Sequence, residues 1–262
     1  MSDISWGSDS SVDGVCGYVN RDWKLHPEFS SHAGYSGKLY PKSDWVELIE
    51  LQKKNQSSPL HVHKGNGIKI LSQGRYGYCW MYGTVNCVLN RYAAQGIDPV
   101  PDLNPHATAA MGKQYRNKGG YAIEATNYIS QLGIPEYDVW PAYSNDRSLA
   151  SDPKVIASAS KHKLVTFEEA PRNSFETVMS ALLCPVDPSP VTLAFGWWKH
   201  LVAGLRAVYR GSGRSIEYGL EFVNSWGKKW GQAGFGTVWN GKAVPFESVV
   251  VRSVKATRES SI

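Results

Sequence analysis

The sequence predicts an α+β fold: a helical lobe over about 67–145, an antiparallel β lobe over about 146–255, and a cleft between them. Three observations point there. Apolar residues recur at helical spacing through 79–95 and again after residue 120. Beyond about residue 163 the texture changes to short runs such as PVTLAF, HLVAGLRAVY and SIEYGLEFV, rich in β-branched and aromatic side chains. Glycine-bearing turns separate several of these segments, as short antiparallel strands require.

Taken in order, residues 1–66 are rich in Ser, Gly, His and aromatics and read as irregular, apart from one short helix over 43–54 (SDWVELIELQKK). The strongest helix runs over 79–95, where Trp80, Met81, Val85, Val88, Leu89 and Tyr92 form a broad apolar face and Gly96 supplies the stop. Asn104-Pro105 opens a second helix, with Asn as cap and Pro in the first turn. A third spans about 121–132 and stops at Gly133. Strands are expected over 190–195, 200–209, 215–223, 235–239 and 248–254, with Gly211-Ser212-Gly213 as a turn and a lone helix over 174–183.

The chain has 262 residues, enough for one large domain or two lobes sharing an interface, and its 42% apolar content supports a real core. The formal charge of +5 is spread with no basic run, so no nucleic-acid footprint is expected. No apolar run approaches the ~18 residues of a membrane span, and the N-terminus lacks a signal-peptide core. Four cysteines, at 16, 79, 87 and 184, form neither a CxxC pair nor a dense framework. The expectation is a protein of the cytoplasm or another reducing compartment, with no cofactor and no metal. His61-Val62-His63 lacks nearby acidic or thiolate partners for a metal site. Oligomeric state is not legible, nor is whether the chain is built into a larger particle such as a virion.

The chemistry lies in three segments. In Gln73-Gly74-Arg75-Tyr76-Gly77-Tyr78-Cys79-Trp80 a glycine-punctuated loop delivers a cysteine to the first turn of a long helix. Unpaired N–H groups and the helix dipole there favour a thiolate, although a small buried residue fits the segment equally well. His200 begins a strand, and Asn224, in Val223-Asn224-Ser225-Trp226-Gly227, ends one. Read singly, each is an ordinary packed or turn residue. Together, a hairpin between them brings both to the same end, which is the arrangement of nucleophile, base and orienting group used in covalent catalysis.

These segments resemble the papain family of cysteine peptidases. QGRYGYCW is similar to that family's Q-G-x-C-G-S-C-W, NSWGKKWGQAGFG to its long N-S-W-G segment, KHLVAG to its histidine strand, and Lys118-Gly119-Gly120-Tyr121 to its substrate-binding strand. The likeness covers roughly residues 67–255, with 1–66 as an extension and 256–262 as a tail. It implies a two-lobe papain-like fold and hydrolysis of a peptide or protein substrate. Cys79 is then the nucleophile, His200 the base and later acid, and Asn224 its orienting partner. Gln73, with the Cys79 N–H, forms the oxyanion hole. Trp226 shields the His–Asn bond, and Gly119, Gly120 and Tyr121 line the substrate's path.

Departures from the pattern carry expectations of their own. Tyr76 and Asn117 stand where the family has the two halves of a disulfide, so no disulfide is expected. Tyr78 stands beside the nucleophile in place of a small residue and Lys199 precedes the histidine where an Asp or Asn is common, and the two are expected to narrow the cleft or alter substrate choice. The short link from PVTLAF to GWWKH removes a long loop from the primed side. Residues 1–66 do not match the family's propeptide and are read either as a permanent extension or as a segment that is cleaved or blocks the cleft. An amidase or acyltransferase acting on a non-peptide amide, and a non-catalytic structural protein keeping this fold, stand as alternatives.

Overall fold

The computed structural model describes residues 2–5, 14–163 and 165–255; the tail at 256–262 lies outside them. Its organising element is helix α3 (Cys79–Ala94), in which every residue from Cys79 to Ala93 is buried. A helix apolar on all sides must be enclosed on all sides. It is packed by α2 (Pro59–Gly65), α4 (Pro105–Gly112) and α5 (Ala122–Leu132) on one side and by the sheet on the other.

The sheet has eight strands: β1 (Ile4–Ser5), β2 (Ala33–Gly34), β3 (Val165–Glu169), β4 (Val191–Phe195), β5 (His200–Arg210), β6 (Glu217–Val223), β7 (Phe235–Trp239) and β8 (Val249–Val254). Their order is β1-β7-β6-β5-β4-β8-β3-β2, antiparallel except for the β2–β3 pair. One apolar core lies around α3. A second lies between the sheet and helices α1 (Trp45–Asn55) and α7 (Phe175–Leu183). Helix α6 (Pro153–Lys161) joins the lobes. This is the expected α+β two-lobe plan.

Two junctions position the site. α3 crosses β5 at Gly83, where a Cβ would stand 3.1 Å from the Leu201 carbonyl oxygen, so the missing side chain sets the close approach of helix and strand. β5 and β6 form a hairpin in which Ala203 faces Val223, with a bulge between Gly204 and Arg206. The first residue of β5 and the residue after β6 therefore emerge at one end.

Residues 1–66 differ most from expectation. β1 and β2 extend the two edges of the sheet, and α1 packs on α7. α2, α6 and β3 were not anticipated either. His61 and His63, weighed as metal ligands, are structural. His61 shares the capping box of α2 with Ser58, and His63 is buried edge-on against Phe235 at 5.6 Å. Among the described residues no group of three or more potential metal ligands occurs, and no helix is long and apolar enough to cross a membrane.

Candidate active site

The loop before α3 is fixed at both ends. Gln73 N–H donates to the Ser225 carbonyl at 2.8 Å, Gly227 N–H donates to Leu71 at 3.1 Å, and Ser225 Oγ donates to Gln73 Oε1 at 2.6 Å. The loop carrying Gln73 is thereby stitched to the segment carrying Asn224. At the other end Gly77 N–H donates to Asn117 Oδ1 at 2.8 Å. Asn117 thus replaces with a hydrogen bond the cross-link that Tyr76 and Asn117 cannot make. All four cysteines are free of disulfides.

His200, Asn224 and Trp226 meet at the open end of the hairpin. His200 Nε2 lies 2.7 Å from Asn224 Oδ1, while Nδ1 is buried without a hydrogen-bond partner among the described residues. Asn224 Oδ1 can only accept, so Nε2 carries the proton and Nδ1 the lone pair. The imidazole packs against Trp226 and Trp198, tilted to both, with ring centroids 4.5 and 4.6 Å away. Across the α3–β5 junction, the backbone N–H groups of Leu201, Gly17 and Trp80 lie close to the Cys79 sulfur and favour its thiolate form. The sulfur therefore lies against the residue that follows His200.

Cys79 and His200 are both held in their neutral forms, not as the ion pair that a helix-start cysteine suggests. Burial pushes the Cys79 thiol up to about 12, against the lowering pull of those three N–H groups. Burial also holds His200 down at about 4, with the Asn224 bond opposing. The cause is visible: residues 15–19 of the same chain fill the cleft.

Gln73 Nε2 donates to the Val15 carbonyl at 2.9 Å, and Trp226 Nε1 donates to the same oxygen at 3.1 Å. The Gly17 N–H reaches the Cys79 sulfur. Gly120 bonds both sides of Tyr18 in a parallel bridge, donating to Gly17 O and accepting from Val19 N–H, each at 2.9 Å. Tyr18 N–H donates to Lys199 O at 3.1 Å. Gly17 has to be glycine, because a Cβ there would collide with the Gly77 carbonyl. This strap engages the cleft out of phase. The Gln73 side chain holds the Val15 carbonyl, while the N–H close to the sulfur belongs to Gly17, two residues later.

Beyond the cleft the strap is anchored by Arg21. Its guanidinium pairs with Glu169 and lies 3.6 Å from Glu247, with all three side chains shielded from solvent. Glu169 also accepts from Phe29 N–H at 2.7 Å, and Glu247 accepts from Ala122 and Ile123 N–H at the start of α5. Burial raises Glu247 to about 7 despite those donors and Arg21.

Cys79, His200, Asn224, Gln73, Trp226, Gly119 and Gly120 are thus brought to one cleft. Tyr121 begins α5 beside them as its N-cap, its ring 5.4 Å from His26. Tyr78 does not narrow the cleft: its ring is fully buried in the helical lobe beside Tyr76, and its hydroxyl donates to Arg116 O at 3.0 Å. The 196–199 link is a tight turn, with Trp198 N–H donating to Phe195 O. Sequence reasoning passed over Ser225, Trp198 and the strap itself. Cys16-Gly17 was its one local signal, a glycine with no turn to make.

No family model matches the chain. It is 24% identical over 225 residues to cysteine proteinase 1 of Entamoeba histolytica, covering 77% of this chain and 70% of that one. It is 24% identical over 235 residues to cysteine proteinase 15A of Pisum sativum, covering 75% of this chain and 61% of the pea protein. Among solved structures, xylellain, a cysteine protease from Xylella fastidiosa, superposes with a TM-score of 0.59 at 13% identity, covering 95% of this chain and 99% of that one. Procathepsin L 3 of Tenebrio molitor gives 0.57 at 19% identity over 72% of this chain and 68% of its own. The chain therefore has the papain-like fold, and the proteins it resembles are cysteine proteinases. The xylellain match extends over nearly all of this chain, where the procathepsin match covers only 72% of it.

Proposed function

We propose that the chain is a cysteine peptidase whose acyl-enzyme forms on Cys79. The observation that carries this reading is the His200 imidazole, held through Nε2 by Asn224 while Nδ1 has no hydrogen-bond partner among the described residues, next to a residue whose N–H lies close to the Cys79 sulfur. With a substrate in place of the strap, His200 Nδ1 takes the thiol proton as sulfur attacks the carbonyl carbon, and returns it to the leaving amine. Asn224 keeps the ring from rotating. Gln73 Nε2, released from Val15, and the Cys79 N–H at the start of α3 receive the oxyanion. Gly120 pairs with an extended substrate backbone as it now pairs with residues 17–19, and Gly119, where a Cβ would meet the Gly17 carbonyl, leaves room for it. Tyr121 and Trp226 flank it. The free thiols support a reducing compartment as its place of work.

One observation favours the non-catalytic reading: the oxyanion donor and the nucleophile are both engaged by the chain's own strap. A thiol-directed acyl-epoxide separates the two. The peptidase reading expects stoichiometric labelling of Cys79, abolished in His200→Ala, and cleavage within a peptide library. A wild-type chain that neither labels at Cys79 nor cleaves any peptide or amide is a scaffold. Cleavage of non-peptide amides alone makes it an amidase.

A further inference from the structure

We infer that Cys16 and Cys79 form a reversible disulfide that locks the strap over the nucleophile, making Cys16 a redox modification site. The placement is direct. The Gly17 N–H lies close to the Cys79 sulfur, and the Cys16 Cα is two bonds from that nitrogen. The Cys16 carbonyl oxygen lies 3.2 Å from the Cβ position of Gly77, two residues before the nucleophile. The Cys16 sulfur donates to the Trp198 carbonyl at 3.4 Å, and the Cys79 sulfur lies close to the Leu201 N–H. The two thiols therefore flank the same turn into β5, from opposite sides of His200. A disulfide spans about 4.4–6.8 Å between Cα atoms, so the lock requires the two backbones to meet within that range, with rotation about the Cys16 side chain bringing the sulfurs together.

Exposure sets the order of events. Cys16 is half-buried, whereas Cys79 is fully buried beneath the strap. A small disulfide such as oxidised glutathione reaches Cys16 first. The Cys16 thiolate attacks one of its sulfurs, forming a mixed disulfide and expelling one glutathione thiolate. His200 Nδ1 takes the Cys79 proton, and the Cys79 sulfur attacks the Cys16 sulfur and expels the second glutathione. Two protein thiols are oxidised, one glutathione disulfide is reduced to two thiols, and the atoms balance. The product covers the nucleophile and shields it from irreversible sulfinic oxidation. Reduction restores the hydrogen-bonded strap, so the lock opens in a reducing compartment and closes under oxidative stress.

The test uses the full chain, folded, in oxidised or reduced glutathione, followed by alkylation and tryptic mass spectrometry. Oxidation is expected to lower the free-thiol count from four to two. It should join the peptide ending at Arg21 to the peptide 76–91, with fragmentation placing the link at Cys79 rather than Cys87. Acyl-epoxide labelling should be lost in parallel and return with dithiothreitol. Cys16→Ser should give no cross-link, and wild type oxidised in denaturant should lose the selectivity. Glutathione left on Cys16 with Cys79 still alkylatable overturns the inference, as does a link through Cys87 or Cys184. Peptide cleavage is measured separately on the reduced chain, so a scaffold without turnover is told apart from a chain without the lock.

Discussion

Asn224 serves His200 through one atom, and its NH2 group is buried without a partner. Its contribution is orientation, so Asn224→Ala should lower kcat by less than His200→Ala, which removes the proton carrier itself. Cys79→Ser should abolish turnover with the melting temperature nearly unchanged, since the swap alters chemistry more than volume. Gln73→Ala should cost about 10²–10³ in kcat with little change in KM, because the oxyanion exists only on the way over the barrier. Steady-state kinetics of the four variants on one substrate decides this, and wild-type turnover in Cys79→Ser would refute the mechanism. Arg21 poses a different case, as a buried cation against two carboxylates. Arg21→Ala leaves Glu169 and Glu247 facing each other in the dark, a loss of about 3–5 kcal/mol for broken buried pairs. It should appear as a lower melting temperature and faster alkylation of Cys79. At this scale the meeting of His200 with Asn224 was legible, because their residue types and chain order are unusual. Ser225 and Trp198 were not, since a serine after an asparagine and a tryptophan before a histidine have no local signature of aligning a side chain or covering a ring.

The strap is the element on which the state of the site depends. It runs parallel to the Gly120 segment and buries the dyad. Its weakest point is Gly17, where any side chain meets the Gly77 carbonyl. Gly17→Ala should therefore displace the strap and raise the rate of Cys79 labelling by about tenfold or more, equivalent to ~1.4 kcal/mol of lost docking. An unchanged labelling rate would mean that the strap does not gate the nucleophile. Why the strap and its neighbours escaped sequence reading is a matter of pattern length. β1 and β2 have two residues each, too few for alternation to register, and they exist only because the sheet offers them edges. α2 and α6 did carry signals, Ser58-Pro59 and Asp152-Pro153, each a cap followed by a first-turn proline. α3 and the β5–β6 hairpin were readable because long periodic segments declare both their type and their buried face. Strand β7 falls at its expected residues, and helix α3 within one residue of its expected end.

For the molecule as a whole, the two cores enclose titratable groups that set the sign of its response to acid. His63 and His200 are held down at about 4 by burial, and burial lowers His106 and His162 as well. Each is neutral when folded and takes up a proton at about 6.5 once unfolded. For His63 and His200 the unfolded chain binds more protons between about pH 6.5 and 4, and His106 and His162 act in the same sense, so stability falls as the pH drops below about 6.5. Glu247, raised to about 7 by burial, acts in the opposite sense, as does Glu169. Folded, they hold protons that the unfolded carboxylates release above about 4.5, so acid favours their folded form. Four buried histidines oppose two carboxylates, and Arg21 offsets part of the carboxylate effect through its direct pairing. The histidines win. The melting temperature should decline from pH 7 to pH 5, and His63→Leu, which removes a buried imidazole with both nitrogens unpaired, should flatten that decline. Thermal melts of wild type and His63→Leu across this range test the balance. A wild-type melting temperature that rises toward pH 5 would show that the Glu169–Glu247–Arg21 cluster, and not the histidines, governs the response.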